Sequence, residues 1–234
     1  MTAIFITATG TDVGKTFVAA SLIGHFRQMG RIVEAIKPVV SGFDPAQAAS
    51  SDPGLLLRAL GVSVTPDSIE RISPWRFRAP LSPDMAAQRE RRSINVDDVI
   101  TFCQSAIEQR RDLLLIEGVG GIMVPLDGER TILDVMMTLG LPLILVTGSY
   151  LGTISHTLTA LDSLYRRDMN VLAIIVSETA GSTVPLDDTV AELSRFADNV
   201  IALPRRQRDG GPPGGKAPPG AFGGLFNQAG RRPR

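Results

Sequence analysis

Ala8-Thr9-Gly10-Thr11-Asp12-Val13-Gly14-Lys15-Thr16 decides the fold of this 234-residue chain. An apolar run, Ala3-Ile4-Phe5-Ile6, precedes it, and a helical pattern, Phe17-Val18-Ala19-Ala20-Ser21-Leu22-Ile23, follows. Strand, glycine-containing turn and helix, with Gly14-Lys15-Thr16 at the helix start, make a phosphate cradle. Such a turn aims backbone N–H groups at one point, where the positive end of the helix dipole also lies. Lys15 supplies a mobile cation for the outer phosphates of a nucleotide, and the Thr16 hydroxyl can reach a bound Mg2+. The usual spacing, Gly-x-x-x-x-Gly-Lys-Thr, asks for glycine at position 9, where Thr9 stands with Gly10 one place late. A glycine-rich turn that binds nothing is the competing interpretation. The position directly after an N-terminal apolar strand favours the nucleotide.

The same alternation continues outward from this segment. Short apolar runs recur at Ile32-Val33-Glu34-Ala35-Ile36, Leu113-Leu114-Leu115-Ile116, Leu143-Ile144-Leu145-Val146 and Leu172-Ala173-Ile174-Ile175-Val176. Near-continuous runs of this length suit strands buried on both faces, as in a parallel sheet. Helical patterns lie between them, from Val96 to Arg110 and from Ser155 to Arg166. The chain therefore predicts an α/β fold: a doubly wound, mostly parallel sheet with helices on both faces, of the P-loop NTPase type. Ligands in such folds collect at the carboxyl ends of the strands.

Composition narrows the class further. Residues 1–204 are expected to form one domain, closed by Asn199-Val200-Ile201-Ala202-Leu203, and the Gly/Pro/Arg-rich stretch 205–234 to form a disordered tail. The tail holds seven Lys/Arg and one acid, so the totals of 24 and 24 leave 17 basic and 23 acidic residues in 1–204, a net charge of −6. An acidic domain gives no electrostatic footprint for nucleic acid. No apolar run is long enough to span a bilayer, and no basic segment precedes a signal-type apolar region. The single Cys103 permits no internal disulfide and no thiolate cluster. A cytoplasmic protein is expected.

The residues that follow each strand carry the chemistry. Lys37-Pro38-Val39-Val40-Ser41-Gly42 follows the second, with Lys37 placed either to stabilise a developing anion or to snorkel to solvent. Glu117-Gly118-Val119-Gly120-Gly121 follows the next; a carboxylate there can meet Mg2+, and the glycines let a phosphate approach the backbone. Asp52, in Ser50-Ser51-Asp52-Pro53, is an oxygen-ligand candidate or a helix cap, and spacing alone slightly favours the cap. Thr147-Gly148-Ser149-Tyr150-Leu151-Gly152 completes the rim. His25 and His156 lie in helical patterns and read as core or surface. Trp75 reads as loop packing and Cys103 as core.

In order and spacing, the phosphate loop, Lys37-Pro38-Val39-Val40-Ser41-Gly42, Ser51-Asp52 and Glu117 through Leu126 resemble the dethiobiotin synthetases. Pro80-Leu81-Ser82-Pro83 and Leu151-Gly152-Thr153-Ile154-Ser155-His156 extend the resemblance to about residues 3–204. It implies a homodimeric enzyme that uses ATP and Mg2+ to close a ureido ring from 7,8-diaminononanoate and CO2 or bicarbonate. It also implies that Asp12, Val13, Gly14, Lys15, Thr16, Phe17, Asp52, Glu117, Gly118, Val119 and Gly120 bind ATP, and that Thr16, Asp52 and Glu117 hold the metal. Lys37, Lys15 and Thr11 would be catalytic. Lys37 and Ser41 would face the diamine, and Gly148 and Ser155 its far carboxylate across the dimer. Departures from the family pattern fall at Ala8, Asp84, Ser155 and Ser177-Glu178-Thr179, the last where some members read adenine with an Asn-Asp pair. A P-loop switch ATPase is the nearest rival, but Thr9, Gly10 and Thr11 stand where that class carries an early second lysine. A non-catalytic nucleotide-binding regulator is the other alternative.

Overall fold

A computed structural model of the chain describes residues 3–205 and Phe222. The chain begins with β1 (Ala3–Ala8), α1 (Lys15–Gln28), β2 (Val33–Ile36) and β3 (Val39–Ser41). A short 3-10 segment (Pro45–Ser50), α2 (Asp52–Leu60), α3 (Pro66–Ile72), β4 (Trp75–Phe77) and α4 (Pro83–Arg89) follow. Then come α5 (Val96–Gln109), β5 (Leu113–Glu117), α6 (Ile132–Leu139), β6 (Leu143–Gly148), α7 (Thr153–Tyr165), β7 (Val171–Ser177), α8 (Leu186–Leu193) and β8 (Val200–Leu203).

Six strands form one sheet in the order β2-β5-β1-β6-β7-β8, every neighbouring pair parallel. Parallel strands need crossovers, and the helices supply them on both faces. Alternation along β1 shows why the strands read as continuous apolar runs. Ala3 and Phe5 face one core with Leu114, Ile116, Leu143 and Leu145, beneath α5, α6 and α7. Ile4, Ile6 and Ala8 face a second core with Leu113, Leu115, Ile144 and Val146, beneath α1 and Leu56 of α2. Each fully buried Val, Leu, Ile or Phe side chain among these contributes about 1.5–3 kcal/mol relative to exposure.

Boundaries shift by small amounts from the sequence expectation. Ile32 is exposed and β2 starts at Val33. Asn199 takes a positive φ of 54° before β8, and its side-chain amide donates to Leu172 O. The helix placed over 155–166 begins two residues earlier, so Ser155 sits in its first turn. A second, two-stranded parallel sheet pairs β3 with β4 and was absent from the sequence expectation. Its strands have three residues each, too short for any period to register. Trp75 belongs to β4 and meets the Phe102 ring edge-on at 5.7 Å. The stretch expected to be disordered lies outside the described residues except for Arg205 and Phe222, which is buried with its ring 5.5 Å from that of His25.

Cys103 is buried in the α5 face of the first core, and burial pushes its thiol up to about 12. A thiolate-selective reagent should therefore leave the native chain unmodified at neutral pH and react once denaturant unfolds it, as followed by absorbance.

Candidate active site

The common direction of the strands gathers the ends of β1, β5, β6 and β7 at one rim. The turn between β1 and α1 reverses there through two left-handed residues, Asp12 at φ 59° and Gly14 at φ 92°. Gly14 has a second constraint: a Cβ at this position would collide with Ser177 Oγ at the end of β7. No side chain caps α1 and no acid lies in its first turn, so the helix N-terminus keeps its positive character. Lys15 turns back over this loop and donates to Gly120 O at 2.9 Å and to Gly10 O at 3.4 Å. Burial, together with the nearby Lys37, lowers the Lys15 ammonium from 10.5 to about 8.

Beneath the loop lies a cluster of charged groups. Glu117 ends β5 at 1% exposure, and Lys37, just after β2, is 2% exposed. Lys37 Nζ donates to Glu117 Oε1 at 2.7 Å and to Gly118 O at 3.2 Å, and lies 3.0 Å from Asp52 Oδ2. The Thr16 hydroxyl donates to the same Glu117 Oε1 at 2.6 Å. Burial works against the Lys37 charge, but Glu117 and Asp52 outweigh it and raise its pKa. Burial likewise works against the partly exposed Asp52 carboxylate, and Lys37 outweighs it and lowers that pKa. The two carboxylates thus favour the charged form of Lys37, which suits it to stabilise an anion.

Glu117 Oε2 is buried and has no hydrogen-bond partner. Such a group is costly unless something occupies its lone pairs. With the Thr16 hydroxyl and the Asp52 carboxylate it makes a set of hard oxygen donors. Among the described residues no group of three His, Cys, Asp or Glu could hold a metal alone. One hydroxyl and two carboxylates beside a phosphate loop fit Mg2+, which is usually held by few carboxylates together with nucleotide phosphates.

The other expected residues fall around this centre. Val13 is buried beneath the loop, Phe17 packs against the second core, and Val119 is buried in the first. Gly121 approaches the phosphate loop so closely that a Cβ would lie 3.1 Å from Thr9 O. Thr11 and Asp12 are exposed on the loop, Ser41 ends β3 half-buried, Gly148 ends β6, and Ser155 is exposed in the first turn of α7. No hydrogen bond among the described residues joins Ser41, Gly148 or Ser155 to the Lys37 cluster. The cap at α2 falls to Ser51, whose hydroxyl accepts from Gly54 N at 3.3 Å, which leaves the Asp52 carboxylate to Lys37. Two features escaped the sequence: the contact of Ser177 with Gly14, and the hydroxyl of Thr9, which reaches Thr147 at 3.1 Å. Both join segments more than 100 residues apart, and the one local sign is a threonine at the end of an apolar strand.

Known proteins resemble the chain at both levels. The AAA domain family model matches residues 2–203. The ATP-dependent dethiobiotin synthetase BioD of Caulobacter sp. strain K31 is 49% identical over 201 residues, 86% of this chain and 86% of the relative. That of Acidiphilium cryptum is 47% identical over 196 residues, 83% of this chain and 88% of the relative. Among solved structures, the MinC:MinD cell division protein complex of Aquifex aeolicus aligns with a TM-score of 0.53 at 15% identity, covering 88% of this chain and 82% of that chain. At that identity the likeness concerns the fold alone. The sequence relatives cover more than four-fifths of the chain, and on their evidence the chain belongs to the ATP-dependent dethiobiotin synthetase family within the AAA domain proteins.

Proposed function

We propose that this chain is a dethiobiotin synthetase: it carboxylates 7,8-diaminononanoate with CO2 and closes the cyclic urea with ATP, releasing ADP and phosphate. The observation that carries this is Lys37, a buried ammonium held between two carboxylates beneath a phosphate loop. One amine of the substrate adds to CO2 and loses a proton, giving a carbamate. A carbamate oxygen attacks the γ-phosphorus of ATP and ADP leaves. The second amine then attacks the carbamoyl carbon, closing the ring as phosphate and a proton depart.

Both oxygen nucleophile and phosphoryl group are anionic, so catalysis amounts to holding like charges together and neutralising them. Lys15 exchanges its carbonyl acceptors for the outer phosphates. The α1 N-terminus and the Gly14 turn supply backbone donors to the same group. Lys37 stabilises the carbamate and the mixed anhydride, while Thr11 and Ser41 orient the diamine end. Thr16, Asp52 and Glu117 are the residues that would hold Mg2+, which when bound screens the triphosphate charge. Gly148 and Ser155, at an α7 start whose cap is a glycine with no acid in the first turn, would receive the distant carboxylate. A homodimer belongs to this proposal, and the neighbouring Leu151, 91% exposed, suits a contact with a partner. No helix among the described residues is long and apolar enough to cross a membrane; a cytoplasmic location is part of the proposal.

Phosphate release from Mg·ATP should require both bicarbonate and the diamine, and fall by about 10²–10³-fold in Lys37→Ala. Release indifferent to the diamine would point to a switch ATPase or a regulator. Lys37→Ala also leaves the buried Glu117 carboxylate without its counter-ion. In EDTA its melting temperature should drop, and Mg2+ should raise it more than it raises that of the wild type.

Nucleotide binding should depend on pH through Lys15. Phosphates favour the charged ammonium, so binding raises a pKa that stands at about 8 in the free protein. Above that pH, binding should take up close to one proton and weaken as pH rises; well below it, Lys15 contributes no uptake. Titration calorimetry in buffers of different ionisation enthalpy reads both effects.

A further inference from the structure

Threonines outside the Lys37 cluster form a second polar junction in the molecule. The parallel register that pairs Ala8 with Val146 carries on to set Thr9 beside Thr147. Their Oγ1 atoms are 3.1 Å apart. Thr147 Oγ1 also lies 2.8 Å from Thr153 Oγ1 and 3.0 Å from Thr157 Oγ1. Thr153 Oγ1 donates to Gly148 O at 2.6 Å, and Thr157 Oγ1 lies 2.7 Å from Thr153 O. Thr147, Thr153 and Thr157 are all fully buried, and Thr9 is half-buried at the edge of the phosphate loop.

Proton counting gives this network a direction. A threonine hydroxyl has one proton to donate and two lone pairs. Thr153 commits its proton to the Gly148 carbonyl, so toward Thr147 it can only accept. Thr147 therefore donates to Thr153 and accepts from Thr9. The chain runs one way, from Thr9 through Thr147 and Thr153 to Gly148 O. Thr157 lies to the side, bonded to the Thr153 carbonyl or to Thr147. At low local dielectric such bonds polarise one another and hold geometry tightly. At one end is the loop that wraps the triphosphate; at the other is the turn that leads into α7. Other bonds reach that turn as well: Thr153 N donates to Tyr150 O at 3.0 Å, Thr179 N donates to Ser149 Oγ at 3.1 Å, and Tyr150 Oη lies 2.9 Å from His156 Nδ1. Among the described residues the threonine line alone bonds it to the phosphate loop, and no side-chain bond caps the helix.

We propose that Thr147 is a positioning residue that couples ATP bound at the phosphate loop to the diamine's distant carboxylate bound at the start of α7. This rests on the proposed role of Gly148 and Ser155 as the carboxylate anchor. Ordering of the loop by nucleotide fixes the Thr9 hydroxyl, which through Thr147 fixes Thr153 and the Gly148 carbonyl. The first turn of α7 is then held in place before the carboxylate arrives, and the second ligand meets a lower ordering cost. If that carboxylate comes from the substrate shared with a partner protomer, the same bonds link ATP on one subunit to the diamine of the pair.

The test is calorimetric titration of 7,8-diaminononanoate into the full-length protein, with and without Mg2+ and the non-hydrolysable β,γ-methylene analogue of ATP. In the wild type the analogue should tighten diamine binding. In Thr147→Val, which removes one hydroxyl and keeps the branched shape, that enhancement should shrink by about five-fold, the worth of one neutral hydrogen bond. Thr147→Ser should restore it. Thr9→Val, at the accessible end of the chain, should lose it as Thr147→Val does, while Thr157→Val, off the line, should keep it. Equal enhancement in the wild type and Thr147→Val, or none in the wild type despite diamine binding, overturns the coupling alone. No diamine binding by the wild type, with or without nucleotide, overturns the substrate assignment and the coupling with it.

Discussion

The ion pair between Lys37 and Glu117 is the constraint on which the rest of the molecule depends. Two charges held out of water cost several kcal/mol each before their attraction is counted, and a single partner removed leaves the other stranded. The pair survives because four elements converge on it. The end of β5 supplies Glu117, the exit of β2 supplies Lys37, the first residue of α2 supplies Asp52, and the first turn of α1 supplies Thr16. Ser51 takes the cap of α2, which leaves the partly exposed Asp52 carboxylate to Lys37. A cluster with this many sources cannot be loosened at one element without disturbing the others.

The apolar sheet makes that cluster affordable. Two cores, one on each face, bury almost every side chain of β1, β5, β6 and β7. Because all the strands run parallel, their carboxyl ends share one rim, and the backbone groups left unpaired there face a common space. The glycines of the β5 loop let that loop lie against the phosphate loop, with Gly121 packed on Thr9. The threonine chain from Thr9 to Gly148 ties the next strand, β6, to the same loop. Polar order at the rim thus rests on apolar order in the layer below.

Much of this was legible in the residues themselves. A short apolar run between helical periods suits a strand covered on both sides, and Gly-Lys-Thr after such a run places a phosphate cradle. Lys37, Asp52 and Glu117 stood out because each is a charge beside a strand end or a helix start. That Ser51 rather than Asp52 caps α2 was not legible. It turned on which of two adjacent side chains, Ser51 or Asp52, faces the helix amides, and that depends on the position of Lys37. The β3–β4 sheet was equally hidden, since three-residue strands carry no period.

The sequence by itself determined the layered α/β fold, the cradle before α1 and the identity of the charged residues at the rim, because local periodicity and residue type are enough to specify them. Tertiary structure alone decided that Lys37 lies between Glu117 and Asp52, that Glu117 keeps one oxygen unpartnered, that Ser177 abuts Gly14, and that hydroxyls of Thr9, Thr147 and Thr153 form a directed line. Most of those facts depend on contacts between distant segments, 80 residues apart for Lys37 and Glu117 and 138 for Thr9 and Thr147. Such contacts are fixed by strand order and register, which no local pattern encodes.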